Sequence, residues 1–193
     1  NNAHLFRKGQ MEVLQPLIDK GQIKIVADQW VENWEPSNAL KLMENILTAV
    51  NNKVDAVVAS NDGTALGALQ ALKAQGLAGK VPISGQDATE AGCKSIVEGE
   101  LTMTVFKDVR KLSPLAIDLA IKFAKGEKVP ELKMYKLSDL TLDPKRTGEV
   151  ACYFLPVVQV DKNNVYDVVI KSGFQKYDAV YRDIPPEKRP PRP

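Results

Sequence analysis

Four side chains of unlike chemistry recur at one kind of place in this sequence, just past a short apolar run. Trp30 follows Ile-Lys-Ile-Val-Ala-Asp-Gln, Asn61 follows Asp-Ala-Val-Val-Ala-Ser, Asp87 follows Val-Pro-Ile-Ser-Gly-Gln, and Lys107 follows Thr-Met-Thr-Val-Phe. If each run is a strand of one parallel sheet, all four project from the edge where open α/β sheets bind ligands, beyond the carboxyl ends of the strands. A ring, an amide, a carboxylate and an ammonium group together suit a neutral polyol. Sugar hydroxyl groups both donate and accept, which Asn and Asp meet in paired hydrogen bonds and Lys meets as a donor, while a sugar's C–H face lies on an aromatic ring. Each residue also has a plainer reading. Asn61 or Asp62 can cap the helix that follows, Asp87 can belong to a turn, Trp30 can be a core or interface side chain, and Lys107 a solvated charge. Only the joint placement favours a ligand site.

The elements that must position these residues follow from periodicity. Leu14, Leu17 and Ile18 keep helical spacing, and the β-branched run from Ile23 to Ala27 then predicts a strand. Pro36-Ser37 predicts a helix start with Ser37 as N-cap, its inner face marked by Leu40, Met43, Leu47 and Val50. Strands at 56–60, 81–84 and 101–106 alternate with helices at 62–75, 89–98 and 111–125. Such alternation, with short connections and strands apolar on both sides, predicts an α/β fold with a parallel sheet covered by helices on both faces. Beyond Gly126 the pattern weakens to a possible edge strand at 132–137, one apolar strand at 150–160, a turn at 161–164 and a short helix at 165–172. Prolines 185, 186, 190, 191 and 193 predict an extended or disordered tail from Asp183 onward.

Composition limits the partners. The chain has 193 residues, 44% of them hydrophobic, and 26 Lys+Arg nearly cancel 24 Asp+Glu without a basic face or acidic run, so nucleic acid is not an expected partner. No apolar run approaches the roughly 20 residues needed to cross a bilayer. Cys93 and Cys152 lack metal-ligand spacing and read as two small buried side chains. The single histidine, His4, has no nucleophile motif beside it, and no serine-hydrolase, Walker or zinc pattern occurs. Gly63 and Gly67 fall inside a helix without the Gly-rich turn that phosphate cradling needs. Neither enzymatic activity nor a cofactor or metal is expected. The first residues run straight into a helical pattern without an initiator methionine, so the start reads as internal to a longer product.

At Val57-Val58-Ala59-Ser60-Asn61-Asp62-Gly63-Thr64-Ala65 and Ile83-Ser84-Gly85-Gln86-Asp87-Ala88 the chain resembles the periplasmic sugar-binding proteins of the ribose and galactose type. Asn1-Asn2-Ala3 with Leu5-Phe6-Arg7, Asp28-Gln29-Trp30, Thr102-Met103-Thr104-Val105 and Val160-Asp161-Lys162-Asn163-Asn164 are similar to the members of that family that bind D-xylose. The likeness runs over residues 1 to 176. It implies a type I periplasmic-binding-protein fold, two α/β lobes joined by three crossing strands and closing on a sugar by hinge motion. Residues 1–107 would form the carboxyl-terminal lobe without its first strand, 108–149 would pack on an amino-terminal lobe outside this sequence, 150–176 would return, and 177–193 would be a Pro-rich tail.

The same resemblance implies an extracytoplasmic solute-binding protein that delivers a monosaccharide, D-xylose, to an ABC transporter permease, with anchoring through an upstream lipoprotein signal. By position, Asn2, Trp30, Asn61, Asp87 and Lys107 match sugar-contacting residues of the family, with Phe6 beside them. Trp30 would stack, Asn61 and Asp87 would pair with hydroxyl groups, and Lys107 would reach a hydroxyl or ring oxygen near the hinge. Competing readings are a sugar receptor for a sensor kinase or chemoreceptor, and the effector-binding core of a sugar-responsive repressor, which would need an upstream helix-turn-helix.

Overall fold

The computed structural model describes residues 1–193. Helix α1 (Asn2–Asp19) leads through an irregular stretch to α2 (Pro36–Ala49), β1 (Val57–Val58), α3 (Asp62–Ala74), β2 (Ile83–Gln86), α4 (Glu90–Glu98), β3 (Met103–Phe106) and α5 (Leu112–Ala124). The rest of the chain forms β4 (Lys133–Lys136), α6 (Leu137–Thr141), β5 (Glu149–Cys152), β6 (Val158–Asp161), a π-helical turn at Tyr166–Ile170 and α7 (Tyr177–Tyr181). These elements group into two compact units: Asn1–Ile23 with Lys107–Val157, and Lys24–Phe106 with Val158–Pro193. The grouping differs from the sequence boundaries, which keep residues 1–23 with the strands after them and return the chain at 150.

The sheet unit, Lys24–Phe106 with Val158–Pro193, holds a four-stranded sheet in the order β1-β2-β3-β6. β1, β2 and β3 are parallel, and β6 closes the far side antiparallel to β3, which makes the sheet mixed rather than wholly parallel. The register sets Gly85 beside Thr104 and Thr104 beside Val160. With the two-residue alternation of a strand, Ile83, Gly85, Thr104, Phe106 and Val160 share one face, and all five are buried. Two side-by-side clusters cover that face. Met43 and Leu47 of α2 meet Ala65, Leu69 and Leu72 of α3 over Ile83, while Cys93 and Val97 of α4 meet Val165, Val169, Val180 and Tyr181 over Phe106 and Val160. Each fully buried Leu or Ile there contributes about 1.5–3 kcal/mol relative to exposure. Helices α2 and α3 come close because Gly67 has no side chain; a Cβ there would stand 2.2 Å from the Pro36 carbonyl oxygen.

The ribbon unit, Asn1–Ile23 with Lys107–Val157, contains α1, α5, α6 and a two-stranded antiparallel ribbon of β4 and β5. None of its residues is buried. Leu112 and Ile117 of α5 are 55% and 62% exposed, although that helix is the most apolar of the chain.

Several local expectations are corrected. Residues 23–27 form no strand: Ile25 and Val26 are exposed, because a strand exists only against a neighbour and β1 pairs with β2 alone. The cap of α2 is Glu35 rather than Ser37, since Pro36 takes the first helical position, where its missing N–H costs nothing. The apolar stretch 150–160 is two strands, β5 and β6, in different sheets, interrupted around Pro156, which cannot donate to a ladder. Cys152 is half exposed, not buried.

The Pro-rich tail folds back instead of trailing. Tyr166 Oη donates to the Pro191 carbonyl at 2.7 Å, Tyr177 Oη to that of Pro190, and Arg189 Nε to that of Ile184 at 2.6 Å. Arg192 grips both oxygens of Asp178 and lies over the Tyr177 ring. Proline carbonyls remain acceptors even though their nitrogens cannot donate, and that is what the two tyrosines use.

Candidate ligand-binding site

Asn61 and Asp87 follow the carboxyl ends of β1 and β2, two adjacent parallel strands, so the fold brings this pair to one sheet edge. Lys107 is the residue directly after β3, half buried, and the first of the returning segment of the ribbon unit. Trp30, 54% exposed, follows an irregular segment and not a strand, and it precedes a 3₁₀ turn at Glu32–Trp34. Asn2 is the exposed first residue of α1 and Phe6 sits one turn further on, half buried.

Asn61 caps α3, as its plainer reading holds. Its Oδ1 accepts the Thr64 amide at 2.9 Å and the Thr64 hydroxyl at 2.6 Å. Those two bonds occupy the acceptor oxygen and leave the Nδ2 amide as the group suited to donate to a ligand. The cap and the site role use different atoms of one side chain.

Asp87 and Ala88 both lie in the left-handed region, with φ of 99° and 47°. Two consecutive non-glycine residues there cost on the order of 1–3 kcal/mol each and persist only where the surroundings fix them. Here four hydrogen bonds do so. The Asp87 amide donates to the Val105 carbonyl at 2.9 Å, the Ala88 amide to Thr104 Oγ1 at 3.1 Å, and Gln175 Nε2 donates to the Ala88 carbonyl at 2.9 Å. The next amide, Thr89, donates to Asp62 Oδ2 at 2.8 Å.

Asp62 is the fully buried centre of this turn. Besides the Thr89 amide it accepts the Thr89 hydroxyl at 2.9 Å on Oδ2 and the Thr104 hydroxyl at 2.7 Å on Oδ1. A Cβ at Gly85 or at Gly92 would stand 2.3 Å from one or other of its oxygens, so both glycines are the room the carboxylate occupies. Burial pushes its carboxyl above the ordinary value, the Thr104 and Thr89 hydrogen bonds oppose that rise, and the nearby charge of Asp87 adds to it. Thr89 also caps α4 by accepting the Gly92 amide at 3.0 Å.

Sequence reasoning missed Asp62, Thr89, Thr104 and Gln175 as parts of this arrangement. The signal available was the pairing of Asn-Asp-Gly after one strand with Gly-Gln-Asp-Ala-Thr after the next, which sets acid, hydroxyl and two glycines at neighbouring strand ends. Gln175 gave no signal, because its approach to Ala88 depends on the return of the chain through β6.

Against known proteins, residues 1–128 match the family described as periplasmic binding protein domain. The chain is 54% identical over 176 residues to the D-xylose-binding periplasmic protein of Escherichia coli, covering 91% of this chain and 51% of that protein. It is 52% identical over 181 residues to the protein of the same name in Haemophilus influenzae, covering 94% of this chain and 52% of that one. Among solved structures, an ABC transporter solute-binding protein of Clostridium phytofermentans with bound β-D-glucose aligns with a TM-score of 0.76 at 28% identity, over 93% of this chain and 56% of its own. The chain thus spans about half the length of the curated relatives it matches.

Proposed function

This chain belongs to the periplasmic binding protein family, and from that premise we propose that the full protein is an extracytoplasmic receptor that captures D-xylose for the permease of an ABC importer. The observation that carries the proposal is identity above half to two D-xylose-binding periplasmic proteins along nearly the whole chain. The chemistry of Asn61 and Asp87, past the ends of β1 and β2, supports it. Asp87 supplies an acceptor pair for two hydroxyl groups, the Asn61 amide a donor and Trp30 a stacking plane, while Lys107, as a donor to a hydroxyl or ring oxygen, and Asn2 and Phe6 take their roles from the family resemblance alone. Such a site binds and releases its sugar unchanged, without enzymatic chemistry. The protein works in the periplasm or outside the cell, held there by a lipoprotein anchor upstream.

On the same reading residues 108–149 belong to the lobe opposite the sheet unit, and the rest of that lobe lies outside this chain. The exposure of α5 supports this, because Ile117 and Ile121, one helical turn apart, leave an apolar face uncovered, and a further lobe would bury such a face.

Calorimetric titration of the full-length protein with D-xylose, D-ribose, D-glucose and D-galactose tests the proposal. Tight binding of D-xylose with weaker binding of the others is expected, and Asp87→Ala weakens it at least about a hundredfold by leaving hydroxyl groups unpaired in a desolvated site. Absence of binding to all four sugars overturns the assignment; unchanged affinity in Asp87→Ala removes that residue from the site.

A further inference from the structure

We propose that Asp62 is a positioning residue for the ligand site, whose buried carboxylate locks the left-handed Asp87–Ala88 turn through Thr89 and Thr104. The proposal rests on the reading that Asp87 contacts the sugar. Asp62 itself has no exposed surface and reaches no ligand. Its three hydrogen bonds all go to groups that flank the strained pair. Two come from Thr89, the residue after Ala88, and one from Thr104, whose hydroxyl in turn accepts the Ala88 amide. A hydroxyl has one proton to give. Because Thr104 Oγ1 gives its proton to Asp62, its lone pair faces the Ala88 amide, and the acid thereby orients the acceptor that fixes the turn.

Backbone held at φ values that Asp and Ala rarely adopt reverts where the clamp is loosened. Reversion swings the Asp87 side chain, so ligand affinity should follow the clamp even though the clamp touches no ligand. An ionised acid is the one side chain of this size that accepts on both ends. Asparagine keeps the shape but turns one acceptor into a donor. Either a donor then faces the Thr89 amide, or the Thr104 hydroxyl must turn away from position 62.

The test uses the full-length protein with D-xylose as probe and three variants: Asp62→Asn, Thr104→Val and Thr104→Ser. Hydrogen exchange of the Ala88 amide, read without ligand, should quicken at least about tenfold in Asp62→Asn and Thr104→Val, as loss of one buried hydrogen bond implies, while Leu72 in α3 keeps its protection. Thr104→Ser retains the hydroxyl and should exchange like the parent. At a temperature where every variant is folded, D-xylose affinity should fall about tenfold or more in the first two and be kept by Thr104→Ser. Unchanged exchange at Ala88 overturns the proposal, and so does faster exchange with affinity intact, which would leave Asp62 a purely structural acid. Failure of the parent protein to bind any of the four sugars counts against the sugar assignment alone, because the exchange measurement reads the clamp without a ligand.

Discussion

The two units of this chain use the same kinds of residue to opposite ends. In the sheet unit, apolar positions of α2, α3, α4 and α7 meet one sheet face, and every buried side chain of the protein lies there. In the ribbon unit, α5 has as good an apolar pattern, yet Leu112, Ile117 and Phe123 stay more than half exposed and nothing is buried. Helical pattern makes a face, but only a second surface makes a core. The sheet unit supplies its own second surface; the ribbon unit does not.

The largest consequence concerns the two cysteines, one in each unit. Cys93 is fully buried, and burial pushes its thiol up to about 12, so near pH 8 only about one molecule in ten thousand carries the thiolate that reacts. Cys152 lies half exposed on β5. Iodoacetamide should label Cys152 at least about a thousandfold faster, with Cys93 reacting only as the sheet unit unfolds. Comparable labelling of both in the native chain, read by mass spectrometry of the two peptides, would break the comparison at its core.

Hydrogen exchange gives the next effect. Amides of α3 and β2 should exchange about three orders of magnitude more slowly than those of α5, because local openings cost only what the buried contacts of each unit supply. Equal protection in this chain would mean that α5 has a packing partner its exposure does not reveal.

What the sequence made legible divides along the same line. The strands at 83–86 and 103–106 and their helices could be read because each apolar run meets a partner inside the chain. The run 23–27 reads equally well as a strand but has none to pair with, and no pattern within the run reports that. The stretch 150–160 failed for another reason: Pro156 was visible, but that its two sides join different sheets depends on long-range pairing. For the site, Asn61 and Asp87 were legible as residues past strands. Asp62 was hidden behind the ordinary preference of acids for helix starts, and its contacts with Thr89 and Thr104, 27 and 42 residues away, are what separate a tertiary clamp from a cap.

Substitutions should rank in the same order with smaller size. Leu72→Ala, at a site with no exposed surface, should cost about 2–5 kcal/mol in denaturant unfolding of this chain. Ile121→Ala on α5 should change it by no more than about 0.5 kcal/mol. In the full-length protein the second value should rise if another lobe covers α5, so one substitution measured in both settings sharpens the comparison and tests the lobe assignment together.

The tail offers the smallest effect. It is held by Arg192 on Asp178 and by Lys94 on Asp183, all at the surface of the sheet unit. The hydrogen bond from Arg192 holds the Asp178 carboxyl below its ordinary value, and that from Lys94 does the same for Asp183. A carboxyl lowered on folding adds stability that is present above its unfolded value of 3.8 and is lost as pH falls through the lower folded one. The clasp should therefore be complete at neutral pH and release only below about pH 4. Exposed pairs are worth little, so Arg192→Ala should leave the global unfolding midpoint nearly unchanged. Trypsin cleavage after Lys188 should respond far more, because that cut needs only the tail to lift, whereas the bonds after Arg189 and Arg192 precede proline and resist trypsin. Faster cleavage in Arg192→Ala with an unchanged unfolding midpoint would establish the tail as an independently opening strap. Unchanged cleavage would shift its hold to the tyrosine hydroxyls of residues 166 and 177.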